Sequence, residues 1–352
     1  MTRVADRSAE PLPFADAFAR LESRTLGPAE VRAAFGAILA GLWTPVQIGA
    51  FAVASRLRGE STETLVAAAE ALRAVMTAVP HEHAEVIDTC GTGGDGAHTL
   101  NVSTAAAVVV AAAAGCHVAK HGNRSVSSRC GSADVVEALG VPLDIDPARQ
   151  RSVLDEARIA FLMAPVHHPA LRHAAQARRE LGLRTIFNAL GPLVNPARAT
   201  HQLVGVYDDA LRPMMAEALG RLGVTRAWVV RSEDGLDELS PSGATRVSVL
   251  ADGRVSERVV TPEDFGVERV AIDALRGGDA SENAAAITAL LAGEDHPALS
   301  AVVLNAAAAL SLVRGDDLRA CAAEARDLIA SRRAEQTLEA WRRAARRARE
   351  NP

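Results

Sequence analysis

Residues 88–140 constrain the fold most, because they place Gly-rich and Ser/Thr-rich turns where strands should meet helices. A first turn, Asp88–Gly96, is followed by Thr99–Thr104 ahead of an Ala/Val run that looks helical. A second turn, Lys120–Ser128, is followed by Gly131–Asp134, which opens another apolar stretch. Glycine lets backbone N–H groups approach an anion closely, and hydroxyl groups, a cation and a helix start add further donors. The segment therefore predicts two phosphate-binding turns.

The N-terminal part predicts helices without a strand. Residues 14–77 have helical periodicity, and Gly27–Glu30, Thr44–Gln47 and Ser61–Glu63 are typical helix starts. Pro80 with residues 81–83 is predicted to be a hinge. We expect residues 1–80 to form a small all-helical domain.

From Glu85 onward the pattern predicts an α/β fold. Short β-branched runs at Val86–Ile87, His117–Ala119, Trp228–Val230 and Val247–Val249 are separated by segments with helical character. Such alternation is typical of βαβ units, so we expect a large α/β domain with a mostly parallel central sheet flanked by helices.

Composition excludes several functional classes. The 352 residues are 49% hydrophobic, and 38 basic against 43 acidic residues give a net charge of −5. No overall field then favours nucleic acid or an anionic membrane, and any phosphate site must be local. The longest apolar run, residues 105–114, is too short to span a bilayer and predicts a buried helix. The N-terminus lacks a secretory pattern, and four cysteines without paired spacing fit a reducing cytoplasm.

The ordered turns resemble those of the anthranilate phosphoribosyltransferases of tryptophan biosynthesis. The resemblance extends over nearly the whole chain. It is carried by Gly91–Asp95, Asn101–Thr104, Lys120–Ser125, Arg178–Gly182, Thr185–Asn188 with Gly191–Leu193, and Asp234–Glu238. It implies an enzyme that transfers the phosphoribosyl group of phosphoribosyl pyrophosphate to anthranilate, the second step of tryptophan synthesis from chorismate.

The resemblance implies the residues of the phosphoribosyl-pyrophosphate site. A leaving pyrophosphate carries several negative charges, so backbone donors and cations must stabilise it as the bond breaks. Lys120 is also implied to act in catalysis, as are Arg178, Asp237 and Glu238. The implied binding residues are Gly91, Gly94, Asp95, Thr99, Asn101, Val102, Ser103, Thr104, Lys120, His121, Gly122, Asn123, Arg124, Ser125, Val126, Ser127, Ser128 and Ser132.

A magnesium site is implied by the same family. Asp237 and Glu238 are adjacent carboxylates that follow the predicted strand Ala227–Val230, and Ser103 is implied as a further ligand. Mg²⁺ prefers hard oxygen ligands and uses one or two carboxylates together with substrate phosphates. Taken alone, the two carboxylates would more often be a solvated surface pair. We expect magnesium as the cofactor, with two ions per subunit.

The anthranilate site is implied to contain Arg178, whose guanidinium matches a carboxylate in two hydrogen bonds. Gly91 and Asn123 are the other implied contacts, and His121 and His168 are expected to line the approach. No residue stands out as a general base, and none is required, because an aniline-type amine is unprotonated at neutral pH.

The family also implies a division of the chain and an assembly. Residues 166–186 are expected to complete the small domain, and residues 81–165 and 187–352 to form the large domain. Closure of the small domain over the sheet would exclude water, and a homodimer is expected through the small helical domain. Binding of nucleic acid or a membrane is not expected.

Competing interpretations depend on the same residues. Pyrimidine nucleoside phosphorylases share the implied architecture but have no need of Arg178 or of the acidic pair. A catalytically inactive nucleic-acid-binding relative would have degraded turns and a basic surface.

For Cys90 and Cys130, burial as small hydrophobes is favoured over reactive thiols. The arginines of residues 342–349 are interpreted as a solvated helix face.

Overall fold

The N-terminal part is a helical bundle, as predicted. A computed structural model of the protein describes residues 11–93, 99–125, 129–315 and 317–350. The bundle consists of α1 (Phe14–Glu22), α2 (Pro28–Leu39), α3 (Pro45–Arg58) and α4 (Thr62–Val75). The predicted starts are confirmed for α2, α3 and α4: proline occupies the first position of α2 and α3, and the Ser61 hydroxyl accepts a 3.2 Å hydrogen bond from Thr64 N–H.

The sheet has seven strands, of which five are parallel. They are β1 (Ile87–Gly91), β2 (Val118–Gly122), β3 (Ile159–Met163), β4 (His201–Gly205), β5 (Arg226–Ser232), β6 (Thr245–Ala251) and β7 (Arg254–Val260). Their order is β3-β2-β1-β4-β5-β6-β7. The mostly parallel sheet is thereby confirmed. The last two strands pair in antiparallel fashion.

The prediction of a helix between Trp228–Val230 and Val247–Val249 is wrong. Residues 233–244 form turns and bends without a helix, and β7 was not predicted. Antiparallel strands need no crossover helix, so β5 can reach β6 through an irregular connection. That connection carries the acidic pair.

Helices cover both faces of the sheet. They are α5 (Val102–Ala112), α6 (Ser132–Ala138), α7 (Gln150–Ala157), α8 (Ala164–His167), α9 (Arg172–Leu181), α10 (Ile186–Ala189), α11 (Leu211–Arg221), α12 (Ala280–Leu291), α13 (Leu299–Arg314), α14 (Leu318–Ala330) and α15 (Arg333–Glu350). The predicted buried helix is α5, which lies with α13 in the core on one face. On the other face, α10 and α11 share a core with the N-terminal bundle.

The arginines of α15 are largely solvated, as interpreted from the sequence. Four of them, at 343, 346, 347 and 349, are exposed, whereas Arg342 is half-buried and donates to the Leu139 carbonyl.

Among the described residues, no single helix is long and apolar enough to cross a bilayer, although the bent pair α13 and α14 together passes that test by length and composition.

Helix α9 packs against α2 and α3. This contact agrees with the expected completion of the small domain by residues 166–186, and the domain boundaries stay a prediction. The expected hinge has no helix or strand. His81 Nε2 lies 2.7 Å from the Ala197 carbonyl oxygen, and His83 Nε2 lies 2.7 Å from Asp155 Oδ1. These contacts hold the segment against the large α/β part.

Candidate functional site

The candidate site lies at the carboxyl edge of the parallel strands. Strands β2 and β3 lie on one side of β1, and β4 and β5 lie on the other. The direction of the chain connections therefore reverses between β1 and β4, and ligands of open α/β sheets bind outside the strand ends at such a point. Gly91, Gly122 and Gly205 each end a strand there.

The acidic pair reaches across this edge to the first turn. The Gly93 N–H donates a 3.0 Å hydrogen bond to Asp237 Oδ2, and the Ser103 N–H donates a 3.0 Å hydrogen bond to Glu238 Oε1. Ser103 is in the first turn of α5, whose partial positive charge favours a carboxylate. The structure thus brings the three residues predicted to bind metal into one place.

Two paired glycines make room for Asp237. Gly91 and Gly205 are partners across β1 and β4. A Cβ at Gly205 would lie 1.4 Å from the Asp237 carbonyl oxygen, and one at Gly91 would lie 2.9 Å from Asp237 Oδ2. Sequence reasoning missed Gly205. Its available signal was a glycine inside the short apolar run Leu203–Val206, since a glycine within a strand often marks close approach of another backbone.

Lys120 is placed inside the sheet edge instead of in an open loop. Its side chain is 1% exposed, and its ammonium donates to the Thr89 carbonyl and, over 3.3 Å, to Ser103 Oγ. Burial lowers the pKa of Lys120, and the carboxylate of Asp88 opposes this shift. Asp88 is fully buried and accepts a 2.8 Å hydrogen bond from Asn195 Nδ2. Lys120 therefore connects β1 to the hydroxyl of the predicted metal ligand Ser103.

The second turn is held by Asp134, at the start of α6. Asp134 Oδ2 accepts hydrogen bonds from the N–H groups of Ser125, at 3.1 Å, and Gly131, at 2.9 Å. Arg124 forms ion pairs with Asp134 at 3.0 Å and with Glu137 at 2.8 Å. Ser132 Oγ donates to the Asn123 carbonyl over 3.3 Å. Asp134 thereby organises backbone donors of the turn.

Several other residues predicted to contact phosphate are buried or already bonded within the protein. Val102 and Thr104 are fully buried. Thr99 bridges to Arg276, and Asn101 Oδ1 accepts a 3.0 Å hydrogen bond from Asn283 Nδ2. Gly94, Asp95, Val126, Ser127 and Ser128 lie outside the described residues.

His121, in β2, and His168, directly after α8, lie close together. Their ring centroids are 5.1 Å apart, and His121 Nδ1 lies 3.0 Å from the Gly191 carbonyl oxygen. Burial lowers the pKa of His121 to about 3 and that of His168 to about 4. Both rings are therefore neutral at pH 7. Among the described residues, neither Nε2 atom has a hydrogen-bond partner.

Arg178 is half-buried on α9, and its Cζ atom lies 5.8 Å from the centre of the Phe187 ring. Burial lowers the pKa of its guanidinium. Within the described ranges, no acceptor lies within hydrogen-bonding distance of this guanidinium. Phe187 is in α10, which directly precedes the Gly191 segment that contacts His121. Arg178 thus reaches the same side of the site through α10.

The residues present fit a hard divalent cation. Asp237, Glu238 and Ser103 offer carboxylate and hydroxyl oxygens, which suit Mg²⁺. No group of three or more His, Cys, Asp or Glu side chains could hold a metal in the part of the chain that the structure describes.

Burial raises the thiol pKa of Cys90 and of Cys130, so neither is an activated thiol. Cys90 is buried as predicted, whereas Cys130 is only half-buried.

Comparisons with known proteins decide the family. The chain matches the glycosyl transferase family, a/b domain, over residues 83–335, and the helical bundle domain of that family over residues 19–76. It is 50% identical to the anthranilate phosphoribosyltransferase of Myxococcus xanthus, over 90% of this chain and 91% of the relative. The chain belongs to the anthranilate phosphoribosyltransferase family.

Solved structures of anthranilate phosphoribosyltransferases have the same fold. The Thermus thermophilus enzyme superposes with a TM-score of 0.89 at 41% identity, over 94% of this chain and 99% of the other. The enzyme from Saccharomyces cerevisiae, solved in complex with phosphoribosyl pyrophosphate and Mg, has a TM-score of 0.87 at 26% identity, over 95% of this chain and 98% of the other. The predicted resemblance and fold are confirmed, and neither the phosphorylase nor the inactive relative is favoured.

Proposed function

We propose that this protein transfers the phosphoribosyl group of 5-phosphoribosyl 1-pyrophosphate to anthranilate and releases pyrophosphate. One observation supports this best: the Asp237–Glu238 pair is hydrogen-bonded to Gly93 and Ser103, so carboxylates, a hydroxyl and backbone donors meet at the carboxyl edge of the sheet. Such an arrangement suits a diphosphate with its metal.

Magnesium is the proposed cofactor. Asp237, Glu238 and the Ser103 hydroxyl would hold it, and two ions per subunit remain our prediction. When bound, Mg²⁺ would neutralise charge that develops on the leaving pyrophosphate. A yeast family member was solved with phosphoribosyl pyrophosphate and Mg, which supports this choice.

The chain's own residues would bind and orient the two substrates. Backbone N–H groups of both turns would bind the phosphates, and Lys120, through its bond to Ser103 Oγ, would orient that hydroxyl. Arg178 would bind the anthranilate carboxylate together with Gly91 and Asn123. Proton removal before the attack is unnecessary, because the aromatic amine already has its lone pair available. The barrier would lie mainly in forming positive charge on the ribose ring, as in other glycosyl transfers.

We also propose a homodimer formed by the small helical part. Val46 and Leu57 on α3 are 81% and 83% exposed, and Val53 lies between them. Spacings of about two and three helical turns place all three on one face of α3. Exposed apolar surface of this kind marks interaction sites.

The four free cysteines support a cytoplasmic location.

Anthranilate fluorescence tests the proposed reaction. The signal should fall when the protein, phosphoribosyl pyrophosphate and Mg²⁺ are combined, and it should stay constant when EDTA removes the metal. Constant fluorescence with Mg²⁺, together with phosphorolysis of thymidine, would instead support the phosphorylase interpretation.

A further inference from the structure

A single asparagine interrupts the buried middle of α13. Asn305 is 3% exposed in α13, where all other residues from Ala301 to Leu310 are apolar and at most 1% exposed. Burying an amide costs free energy unless its hydrogen bonds are satisfied. An asparagine at this position therefore needs a specific partner.

That partner is the residue that directly follows the acidic pair. Asn305 Oδ1 accepts a 3.0 Å hydrogen bond from Leu239 N–H, and Asn305 Nδ2 donates to the Leu239 carbonyl over 3.1 Å. Nδ2 also donates to the Ala301 carbonyl over 3.0 Å, one turn earlier in the helix. Leu239 N–H belongs to the peptide plane that it shares with Glu238. The amide therefore fixes the backbone immediately after the predicted metal ligands.

The same loop is fixed independently before and after the acidic pair. Asp234 accepts hydrogen bonds from the hydroxyl groups of Ser232, Ser240 and, at 2.6 Å, Ser242. The Leu236 N–H donates to Ser232 Oγ over 2.8 Å. The loop is thus closed on itself, and Asn305 attaches its backbone to α13.

This attachment also sets the loop relative to the first phosphate turn. Helix α13 packs along α5, and α5 begins at the turn whose Ser103 N–H donates to Glu238. A shift of Leu239 relative to α13 would therefore change the distance between Glu238 and Ser103. We propose that Asn305 is a positioning residue that holds Asp237 and Glu238 in register with Ser103 for binding of a divalent cation. This proposal rests on the proposed function, because it assumes that these carboxylates bind Mg²⁺.

Two substitutions at Asn305 test whether its side chain positions the loop or only packs in the core. Asn305→Asp keeps the acceptor for Leu239 N–H but loses the donor to its carbonyl, and Asn305→Leu loses both. Ser311→Ala is the matched control, because Ser311 is buried in the same helix and donates only to Ala308, within α13. Mn²⁺ serves as a paramagnetic probe for the site.

Mn²⁺ binding in the presence of phosphoribosyl pyrophosphate is measured by electron paramagnetic resonance. We expect both Asn305 variants to bind Mn²⁺ about 10-fold more weakly, as is typical when a residue that orients a metal ligand is lost. The Mg²⁺ concentration for half-maximal activity should rise in proportion, with much of kcat recovered at saturating Mg²⁺. Ser311→Ala should bind Mn²⁺ like the wild type.

Folded Asn305 variants with wild-type Mn²⁺ affinity would overturn the proposal, as would an equal loss in Ser311→Ala. If Asn305→Leu does not fold, Asn305→Asp decides the matter, because it keeps the side-chain volume and one hydrogen bond. Wild-type protein that binds Mn²⁺ but does not consume anthranilate would refute the proposed reaction, and the Mn²⁺ comparison would still decide the role of Asn305.

Discussion

Among the described glycines around the site, Gly205 leaves the least space for a side chain. A Cβ there would lie 1.4 Å from the Asp237 carbonyl oxygen, so Gly205→Ala must displace the backbone of the acidic pair. A misplacement of about 1 Å can cost about 100-fold in rate, and we expect a loss of at least this size in kcat/KM. Gly243→Ala is the control, because nothing lies within 4 Å of its added Cβ. Equal activity of the two variants in the fluorescence assay would contradict the geometry.

Arg178 should affect one substrate far more than the other. Its guanidinium is half-buried against Phe187 and lies on α9, apart from both phosphate turns. Arg178→Ala should therefore raise the KM for anthranilate much more than that for phosphoribosyl pyrophosphate. Arg178→Lys should restore little, because an ammonium cannot form the paired hydrogen bonds of a guanidinium. Arg179→Ala, an exposed neighbour, serves as the control, and similar changes in both KM values for Arg178→Ala would exclude the proposed contact.

Residue types and order predicted which side chains meet, but not how deeply they are buried. The structure brings Ser103, Asp237 and Glu238 together, and their role as metal ligands stays a prediction. The burial of Lys120 and the close approach at Gly205 depend on how β1, β2 and β4 pair, which one sequence does not reveal. Asn305 was missed because an isolated polar residue in an apolar helix has no meaning until its partner across the fold is known.

At the scale of elements, the exposed face of α3 predicts the assembly. Val46→Glu combined with Leu57→Glu would place two charges in the proposed interface, where desolvation costs several kcal/mol. The double variant should be monomeric by light scattering after size-exclusion chromatography, at concentrations where the wild type is dimeric. Val259→Glu on β7 is the control, because Val259 is 58% exposed outside the helical bundle. A wild-type monomer, or an unchanged dimer in the double variant, would contradict the proposed interface.

Helices that begin with a proline or a capping residue were predicted well, whereas the antiparallel pairing at the edge of the sheet was not. Proline and capping residues determine the starts of α2, α3 and α4, so these starts were found correctly. Strand β7 has charged residues among its valines and is mostly exposed, so it has no buried apolar run to reveal it. The helix expected before β6 was wrong for a related reason, since the parallel pattern of the first strands does not extend to this edge.

At the scale of the whole molecule, the order of the strands explains why distant segments meet. The acidic pair is about 140 residues from the first turn in sequence, and it adjoins that turn because β4 and β5 lie on the opposite side of β1 from β2. The helical bundle shares a hydrophobic core with α10 and α11, so the side of the site proposed to bind anthranilate is connected to the packing of the two parts. Stability of the whole fold should therefore respond to groups buried near the site.

Buried neutral histidines should make the fold sensitive to mild acid. Burial lowers the pKa of His168 to about 4 and that of His121 to about 3, against about 6.5 in an unfolded chain. Below pH 6.5 the unfolded state binds protons that the folded state does not. Each of these histidines should then lower the free energy of unfolding by about 1.4 kcal/mol per pH unit, down to its folded pKa. His117, His167 and His201, whose pKa values burial also lowers, act in the same direction.

Urea unfolding at pH 7.5, 6.5 and 5.5 measures this effect. The midpoint should fall with pH in the wild type, and it should fall less steeply in His168→Gln than in the control His173→Gln, which alters a half-exposed histidine on α9. Carboxylates respond differently from the histidines. The guanidinium of Arg212 lowers the pKa of Asp209, and the stabilisation from such a group is lost only below about pH 4. Burial raises the pKa of Asp88 and of Glu60, which opposes the effect of the histidines as the pH falls, so the difference between the two histidine variants is the decisive quantity. A midpoint that falls equally steeply in His168→Gln and in His173→Gln would show that His168 is not buried in the neutral form.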